Sequence, residues 1–314
     1  MTRVNCIGVL VVDALSGPLE SYPIPRRRTQ VITRNVRFFA GGGAANTAGA
    51  LGRMGINAGV FSKVGRDSNG EFLRRELAHS GVDTAGICVS RKDTTPFTFV
   101  GVHSDGERTF IHTPGANKTF CRDDLRLNSL FKCNFLLYQD LWALPRLDGG
   151  PGARLLADAQ RRGIITLLDE CWGLGPNREK FEKMLPHCDY VLPSADDMRV
   201  IYPGLTDEEI AGRILGRGAK AVILKLGAKG CLVARDGMRK YAPAFRAKVV
   251  DTTGAGDCWN AGFITGLARG EDVLSSARLG NACASFCVGA IGGTAGIPNY
   301  ETVSKRTERK HKSG

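Results

Sequence analysis

The sequence has no apolar run long enough to cross a bilayer. Its first apolar stretch, Ile7 to Val12, stops at Asp13. A signal peptide would need a longer apolar core and a small-residue cleavage site. A buried first strand and a cytoplasmic protein are expected. No Cys-x-x-Cys pair occurs among the ten cysteines. Cys283 and Cys287 stand four apart on an expected helix but have no second ligand pair, so zinc is disfavoured and buried free thiols are expected. Repeats of solenoid period, aromatic-interleaved basic motifs and nucleic-acid modules are also missing, so no nucleic-acid partner and no membrane partner are expected.

What remains is a chain of 314 residues, 43% hydrophobic and 24% charged, which can bury a large core. Its net charge is +12, of which Lys305 to Gly314 supply +4. Residues 301–314 are expected to be a basic, disordered tail, and Lys305–Gly314, polar, charged and without an apolar face, is expected to be dispensable. Forty glycines cluster at particular places, which points to tight turns and close backbone approach.

Apolar strands alternate with helical stretches. Strands are expected at Asn5–Val12, Asn57–Val64, Phe135–Tyr138, Ile164–Leu168, Tyr190–Leu192, Ala221–Leu226 and Gly230–Ala234. Helices are expected at Gly43–Met54, Ser68–His79, Gly152–Arg162, Asp207–Leu215, Gly256–Ala268 and Val273–Val288. Short, nearly continuous apolar strands between helices imply a parallel sheet covered on both faces. Residues 14–39 and 96–113 break the alternation and read as extended, half-exposed strands. They form either a small sheet able to act as a lid or a plain surface hairpin.

Two constellations carry chemistry. Gly41-Gly42-Gly43-Ala44-Ala45-Asn46 turns sharply into a small-residue helix whose N-terminal N–H groups are available to polar oxygens. Asn46 lies one turn in, where its amide can bind a hydroxyl; the alternative is a glycine turn before a packing helix. Asp251-Thr252-Thr253-Gly254-Ala255-Gly256-Asp257 also leads into a helix. Gly254, Ala255 and Gly256 can form an anion hole at its positive end. Asp257, in the first turn, can accept a proton from a hydroxyl held beside that hole, as phosphoryl transfer to an alcohol requires. The bland alternative is an Asp that only caps the helix.

Together these constellations resemble the two signatures of the ribokinase-like (PfkB-type) carbohydrate kinases. Gly55 and Gly65, Val64-Gly65-Arg66-Asp67 with Gly70, Pro114-Gly115-Ala116-Asn117, and Lys225-Leu226-Gly227 with Gly230 resemble further segments of that family, in its order, from about Asn5 to Pro298. The resemblance implies a ribokinase-like α/β parallel-sheet sandwich over residues 1–300 with a small β-sheet lid. It implies transfer of the γ-phosphoryl group of ATP to a sugar hydroxyl, with Mg2+ and, in many members, a monovalent cation such as K+. Asp257 resembles the catalytic base and Gly254, Ala255 and Gly256 the anion hole. Asp13, Gly42, Gly43 and Asn46 resemble the sugar-contacting residues; a carboxylate such as Asp13 can accept two hydroxyls. Lys225 and Gly227 fall on the nucleotide site, Asn281 near the adenine, and Asp251 and Thr253 on the monovalent-cation site. Lids of the family often pair between subunits, which implies a homodimer, and a basic protein attracts anionic nucleotides.

The chain departs from the family at Pro193-Ser194-Ala195-Asp196-Asp197, where Asn-x-x-Glu is common. Ser194 and Asp197 take the positions that organise phosphate and magnesium; Asp is one methylene shorter than Glu, and Ser lacks the amide. A nucleoside kinase on the same scaffold would need an apolar slot for the base, for which Tyr22, Phe38, Phe39, Phe97 and Phe99 are candidates. A non-catalytic sugar sensor is the other alternative, but it has no need of Asp257 as a base.

Overall fold

The structure, a computed structural model, describes residues 2–19, 33–103, 108–171, 175–235 and 237–308. Tyr22, part of the tail and parts of both lid segments lie outside them. The chain enters as β1 (Arg3–Ile7) and moves to a second sheet as β2 (Val11–Leu19) and β3 (Asn35–Gly41). It continues through α1 (Gly43–Arg53), β4 (Asn57–Gly65), α2 (Ser68–His79) and β5 (Ile87–Ser90). Strands β6 (Phe97–His103) and β7 (Arg108–Thr113) return to the second sheet. Then follow α3 (Leu127–Leu130), β8 (Phe135–Leu141), α4 (Gly150–Gln160), β9 (Ile165–Glu170), α5 (Arg178–Met184), β10 (Tyr190–Val191), α6 (Ala195–Ile201) and α7 (Asp207–Leu215). Strands β11 (Val222–Lys225), β12 (Cys231–Arg235) and β13 (Met238–Ala242) precede helices α8 (Ala255–Ala268), α9 (Val273–Cys287) and α10 (Tyr300–Glu308).

The large sheet has nine strands in the order β13-β12-β11-β10-β9-β8-β1-β4-β5. It is parallel from β11 to β5 and antiparallel only at the β12 and β13 edge. Successive residues of a strand face opposite sides, and β8 shows it: Phe135 and Leu137 join one core, Leu136 and Tyr138 the other. The first core is closed by α1, α2, α8 and α9, the second by α4 to α7. Helix starts follow local chemistry: Asp67 caps α2 through the Gly70 N–H at 2.9 Å, and Thr206 with Glu209 makes a capping box at α7.

From β1 the chain runs outward one way to β4 and β5 and the other way to β8 and its successors. The boundary between β1 and β8 is therefore a topological switch point, where ligands bind beyond the carboxyl ends of the strands. The second sheet has the order β3-β2-β6-β7, with β2 and β6 parallel and the outer pairs antiparallel.

Two expectations need correction. Asn5–Val12 is not one strand. The chain leaves the large sheet after Ile7 because Asp140 accepts the Val9 N–H (2.7 Å), and a Cβ on Gly8 would sit 2.5 Å from that carboxylate. Nor is the segment from 301 onward simply a disordered tail. Residues 300–308 form α10, with Val303 fully buried against α9 and the Arg306 guanidinium 4.3 Å from the Phe286 ring. Short elements such as β5, β13, α5 and α6 are too brief for periodicity to reveal.

Candidate active site

Helices α1 and α8 bring their N-termini together beside the switch point. Both starts are built of small residues, and a hydrogen bond from the Thr47 hydroxyl to the Asp257 carbonyl (3.1 Å) ties them. Gly42 begins α1 at φ 93°, and Gly254 begins α8 in the left-handed region at φ 73°. A Cβ on Gly254 would lie 2.8 Å from the Gly293 Cα, so the Gly292-Gly293 loop packs beneath this turn.

Asp257 stands in the first turn of α8 with its carboxylate gripped from two sides. Asn46 Nδ2 donates to Oδ2 at 2.8 Å, and Gln139 Nε2, from the end of β8, donates to Oδ1 at 2.7 Å. The other ends of both amides, Asn46 Oδ1 and Gln139 Oε1, are buried without a partner. Burial raises the Asp257 pKa; the Asn46 contact opposes this, Asp169 adds to it, and Lys225 and Gln139 oppose it. Ala255 closes the turn by donating to Thr252 O at 3.2 Å. The expected anion hole therefore rests on the N–H groups of Gly256 and Asp257, which have no acceptor within the helix.

Lys225, at the end of β11, lies beside that turn: a Cβ on Gly256 would be 3.5 Å from its ammonium. The ammonium pairs with Asp169 at 2.8 Å and is also 3.4 Å from Asn260 Oδ1. Gly227, φ 57°, is exposed two residues on. Glu170, at the end of β9, accepts the Ser194 N–H at 2.7 Å and leaves Oε2 buried and unpartnered. Burial raises the pKa of Glu170 well above its usual value and also raises that of Asp197. Ser194 itself caps α6, accepting the Asp197 N–H at 3.5 Å, so it positions Asp197 while its own O–H can still donate.

Three residues have partners other than those expected. Asn281 was expected beside the adenine, yet its Oδ1 accepts from Trp259 Nε1 (2.7 Å) and its Nδ2 donates to the Ala242 and Pro243 carbonyls (2.9 and 3.1 Å). It holds the strap after β13. Asp251 and Thr253 do not form an open monovalent-cation site. Asp251 Oδ1 accepts from the Thr253 N–H and from Arg108, each at 2.8 Å, and Oδ2 accepts the Gly292 N–H at 2.9 Å. Arg108 also donates to the Thr253 hydroxyl. The donors expected for a free ion are taken by a guanidinium, so the ion does not fit.

Asp13 lies on the second sheet. Burial lifts its pKa to about 6, opposed by a Thr98 hydrogen bond. Register places Phe39, Asp13, Thr98 and His112 in one row across β3, β2, β6 and β7, with Arg108 further along the same face of β7. This face leans over the transfer site: Arg108 reaches Asp251, and a Cβ on Gly292 would meet the Phe39 ring at 2.8 Å. The opposite face carries Phe38, Ala14, Phe99 and Ile111 in a matching row.

Sequence reasoning missed Gln139, Asp140, Asp169, Glu170 and Arg108. Asp140 sits at φ 60° and accepts the N–H groups of Val9, Gly43 and Ala44, which sets the first glycine turn. Its one legible signal is its place after an apolar strand, beside Gln139. Among the described residues no group of three or more His, Cys, Asp or Glu is arranged to hold a metal, and Cys283 and Cys287 are buried free thiols.

A carboxylate between two helix N-termini, with a lysine alongside and a second sheet above, suits phosphoryl transfer to an alcohol, and the family match and relatives that follow indicate a phosphotransferase with an alcohol acceptor. The chain matches the pfkB family carbohydrate kinase model over residues 1–299 and belongs to that family. It is 27% identical over 276 residues to a ribokinase of Haemophilus influenzae, covering 85% of this chain and 87% of the relative. It is 28% identical over 291 residues to a nucleoside kinase of Methanothermobacter thermautotrophicus, covering 92% and 90%. The solved ribokinase of Thermotoga maritima superposes with a TM-score of 0.86 at 25% identity, over 98% of this chain and 99% of that one.

Proposed function

We propose that the protein transfers the γ-phosphoryl group of ATP to a hydroxyl of a small sugar, with Asp257 as the base. The observation that carries this is the pair of buried, unpartnered amide oxygens on Asn46 and Gln139, whose nitrogens orient Asp257. Buried acceptors without donors are costly. Sugar hydroxyls supply donors, and Asp13 above accepts two more.

In the step itself the acceptor hydroxyl gives its proton to Asp257, and its oxygen forms a bond to the γ-phosphorus. The bond from that phosphorus to the bridging oxygen breaks, and ADP leaves with the electron pair. The N–H groups of Gly256 and Asp257 and the ammonium of Lys225 face the charge that develops. Lys225 and the exposed turn at Gly227 border the nucleotide. Asp197 and Glu170 fit a magnesium ion, because two crowded carboxyls with an unpartnered oxygen call for a cation, and magnesium is commonly held by one or two carboxylates, waters and substrate phosphates. When bound, it would neutralise phosphate charge.

The second sheet serves as the lid. Of the described aromatic candidates for a nucleobase slot, only Phe39 lies on the Asp13 face, since Phe38 and Phe99 point the other way and Phe97 packs on the core. That favours a sugar over a nucleoside. The apolar outer row of the lid, exposed at Phe38 (55%) and Ile111 (61%), suits pairing with a second copy. The test is ATP consumption with pentoses, hexoses, keto-deoxy acids and nucleosides. Turnover with a nucleoside well above every sugar would reject the sugar reading, and none with any acceptor would reject the kinase reading.

A further inference from the structure

Arg108 opens β7 on the lid, yet its guanidinium ends in the body of the protein. It pairs with Asp251 at 2.8 Å and donates to the Thr253 hydroxyl. The Asp251 side chain is fully buried and that of Arg108 is 18% exposed. A buried carboxylate needs a partner, and removing one is strongly destabilising. Asp251 in turn fixes both strands of the transfer turn. It holds the Thr253 N–H just before Gly254 and the Gly292 N–H beside Gly293, the residue packed under Gly254. One lid side chain is thus joined, through one carboxylate, to the loop that aims the N–H groups of Gly256 and Asp257.

We propose that Arg108 is a positioning residue of the transfer site: its guanidinium, carried by the lid, organises the anion-hole turn in place of a free monovalent cation. This rests on the kinase reading above. The cation is tethered, so its local concentration depends on the position of the lid and not on the medium. Seating the lid and forming the hole become one event, and the turn is held in its productive shape when the acceptor is covered. A lone potassium ion can hold the turn at any lid position; Arg108 holds it only when the lid is down.

The experiment compares wild type, Arg108→Met and Arg108→Lys in potassium chloride and in tetramethylammonium chloride at equal ionic strength. It reads kcat, sugar KM and, without any ligand, the melting temperature. Wild type should show the same kcat in both salts within about twofold. Arg108→Met should lose about tenfold or more in kcat in tetramethylammonium and recover part of it in potassium, or with low concentrations of guanidinium. Its melting temperature should rise in potassium where that of wild type does not. Arg108→Lys, which keeps a cation on a shorter arm, should fall between them.

Several-fold activation of wild type by potassium overturns the proposal. So does Arg108→Met turning over like wild type in both salts, or failing to respond to either cation. If wild type phosphorylates no acceptor, the kinase reading fails, but the melting comparison still decides the cation. A potassium response confined to Arg108→Met supports the tethered guanidinium, and an equal response in both proteins rejects it.

Discussion

Asp257 is held by two amides that cannot themselves act as bases, so replacing it tests the chemistry with little disturbance to the fold. Asp257→Asn keeps the shape and can still sit in the first turn of α8. Turnover should fall by about 10²- to 10⁴-fold, the usual share of a general base. Nucleotide affinity, read by calorimetry, should hold or tighten, because a negative charge near the phosphates is gone. Single-turnover rates within a few-fold of wild type would mean another group takes the proton. Asp13 offers a pH test. Its folded pKa of about 6 exceeds the ordinary carboxylate value of 3.8. Between these values the folded protein binds more protons than the unfolded chain, so stability falls as pH rises through the window and the full cost persists above it. Asp13→Asn should therefore raise stability at neutral pH by about 1–3 kcal/mol and change it little in acid. Sugar KM should rise sharply in the variant, and in wild type it should improve from about pH 5 to pH 7 as the carboxylate ionises. A variant less stable at neutral pH would show that Asp13 is not a strained, sugar-serving acid. Asp13, Asn46 and Asp257 were legible because each follows a glycine turn or closes an apolar run. Gln139, Asp140 and Glu170 were not: each ends a strand whose apolar pattern gives no sign of where its last side chains converge. Arg108 was hidden because its partner is 143 residues further along the chain, at Asp251.

The longer elements were legible from local physics. Ser68–His79 and Asp207–Leu215 begin at capping residues and end where the apolar stripe ends, and the structure has them at those bounds. The parallel sheet followed from short apolar runs alternating with helices. The break after Ile7 was not legible, because what turns the chain is the Asp140 carboxylate and not a local breaker. Helix α10 was obscured by its charge. In Tyr300–Glu308 only Val303 is fully buried, and the rest of the contact comes from the stems and rings of Tyr300 and Arg306, which a polarity pattern counts as solvated. This leads to a stability prediction. Val303→Ala should destabilise the protein by about 1.5–3 kcal/mol through lost burial and a residual cavity. In a domain of this size the melting temperature should drop by several degrees, about 2–4 °C per kcal/mol. Turnover at low temperature should be unchanged, since α10 packs on α9 and not on the transfer turn. An unaltered melting temperature would return this segment to the status of a dispensable tail.

At the scale of the whole molecule, the two faces of the lid do different work because a strand alternates its side chains. In the proposed function the inward row, Phe39, Asp13, Thr98 and His112, meets the acceptor, and Arg108 on that face pairs with Asp251 of the turn before α8. In the outward row of Phe38, Ala14, Phe99 and Ile111, Phe38 and Ile111 leave apolar side chains in water, while Ala14 is buried. Phe110, also exposed at 52%, lies on the inward-facing set beyond the acceptor row. Four strands are few for a sheet with one face uncovered, and pairing two such faces removes both from solvent at once. The pairing would be isologous, so one substitution acts twice. Phe38→Glu places two carboxylates at the joint and should convert a dimer to a monomer, read by sedimentation equilibrium across a range of concentrations. The inward face is untouched, so the monomer should still bind sugar. If seating the lid is what fixes the Asp251 turn, the unpaired lid will be seated less of the time, and kcat should fall more than nucleotide affinity. A wild type that sediments as a monomer at all concentrations would remove the pairing, and a monomeric variant with full kcat would show that each lid closes without its partner.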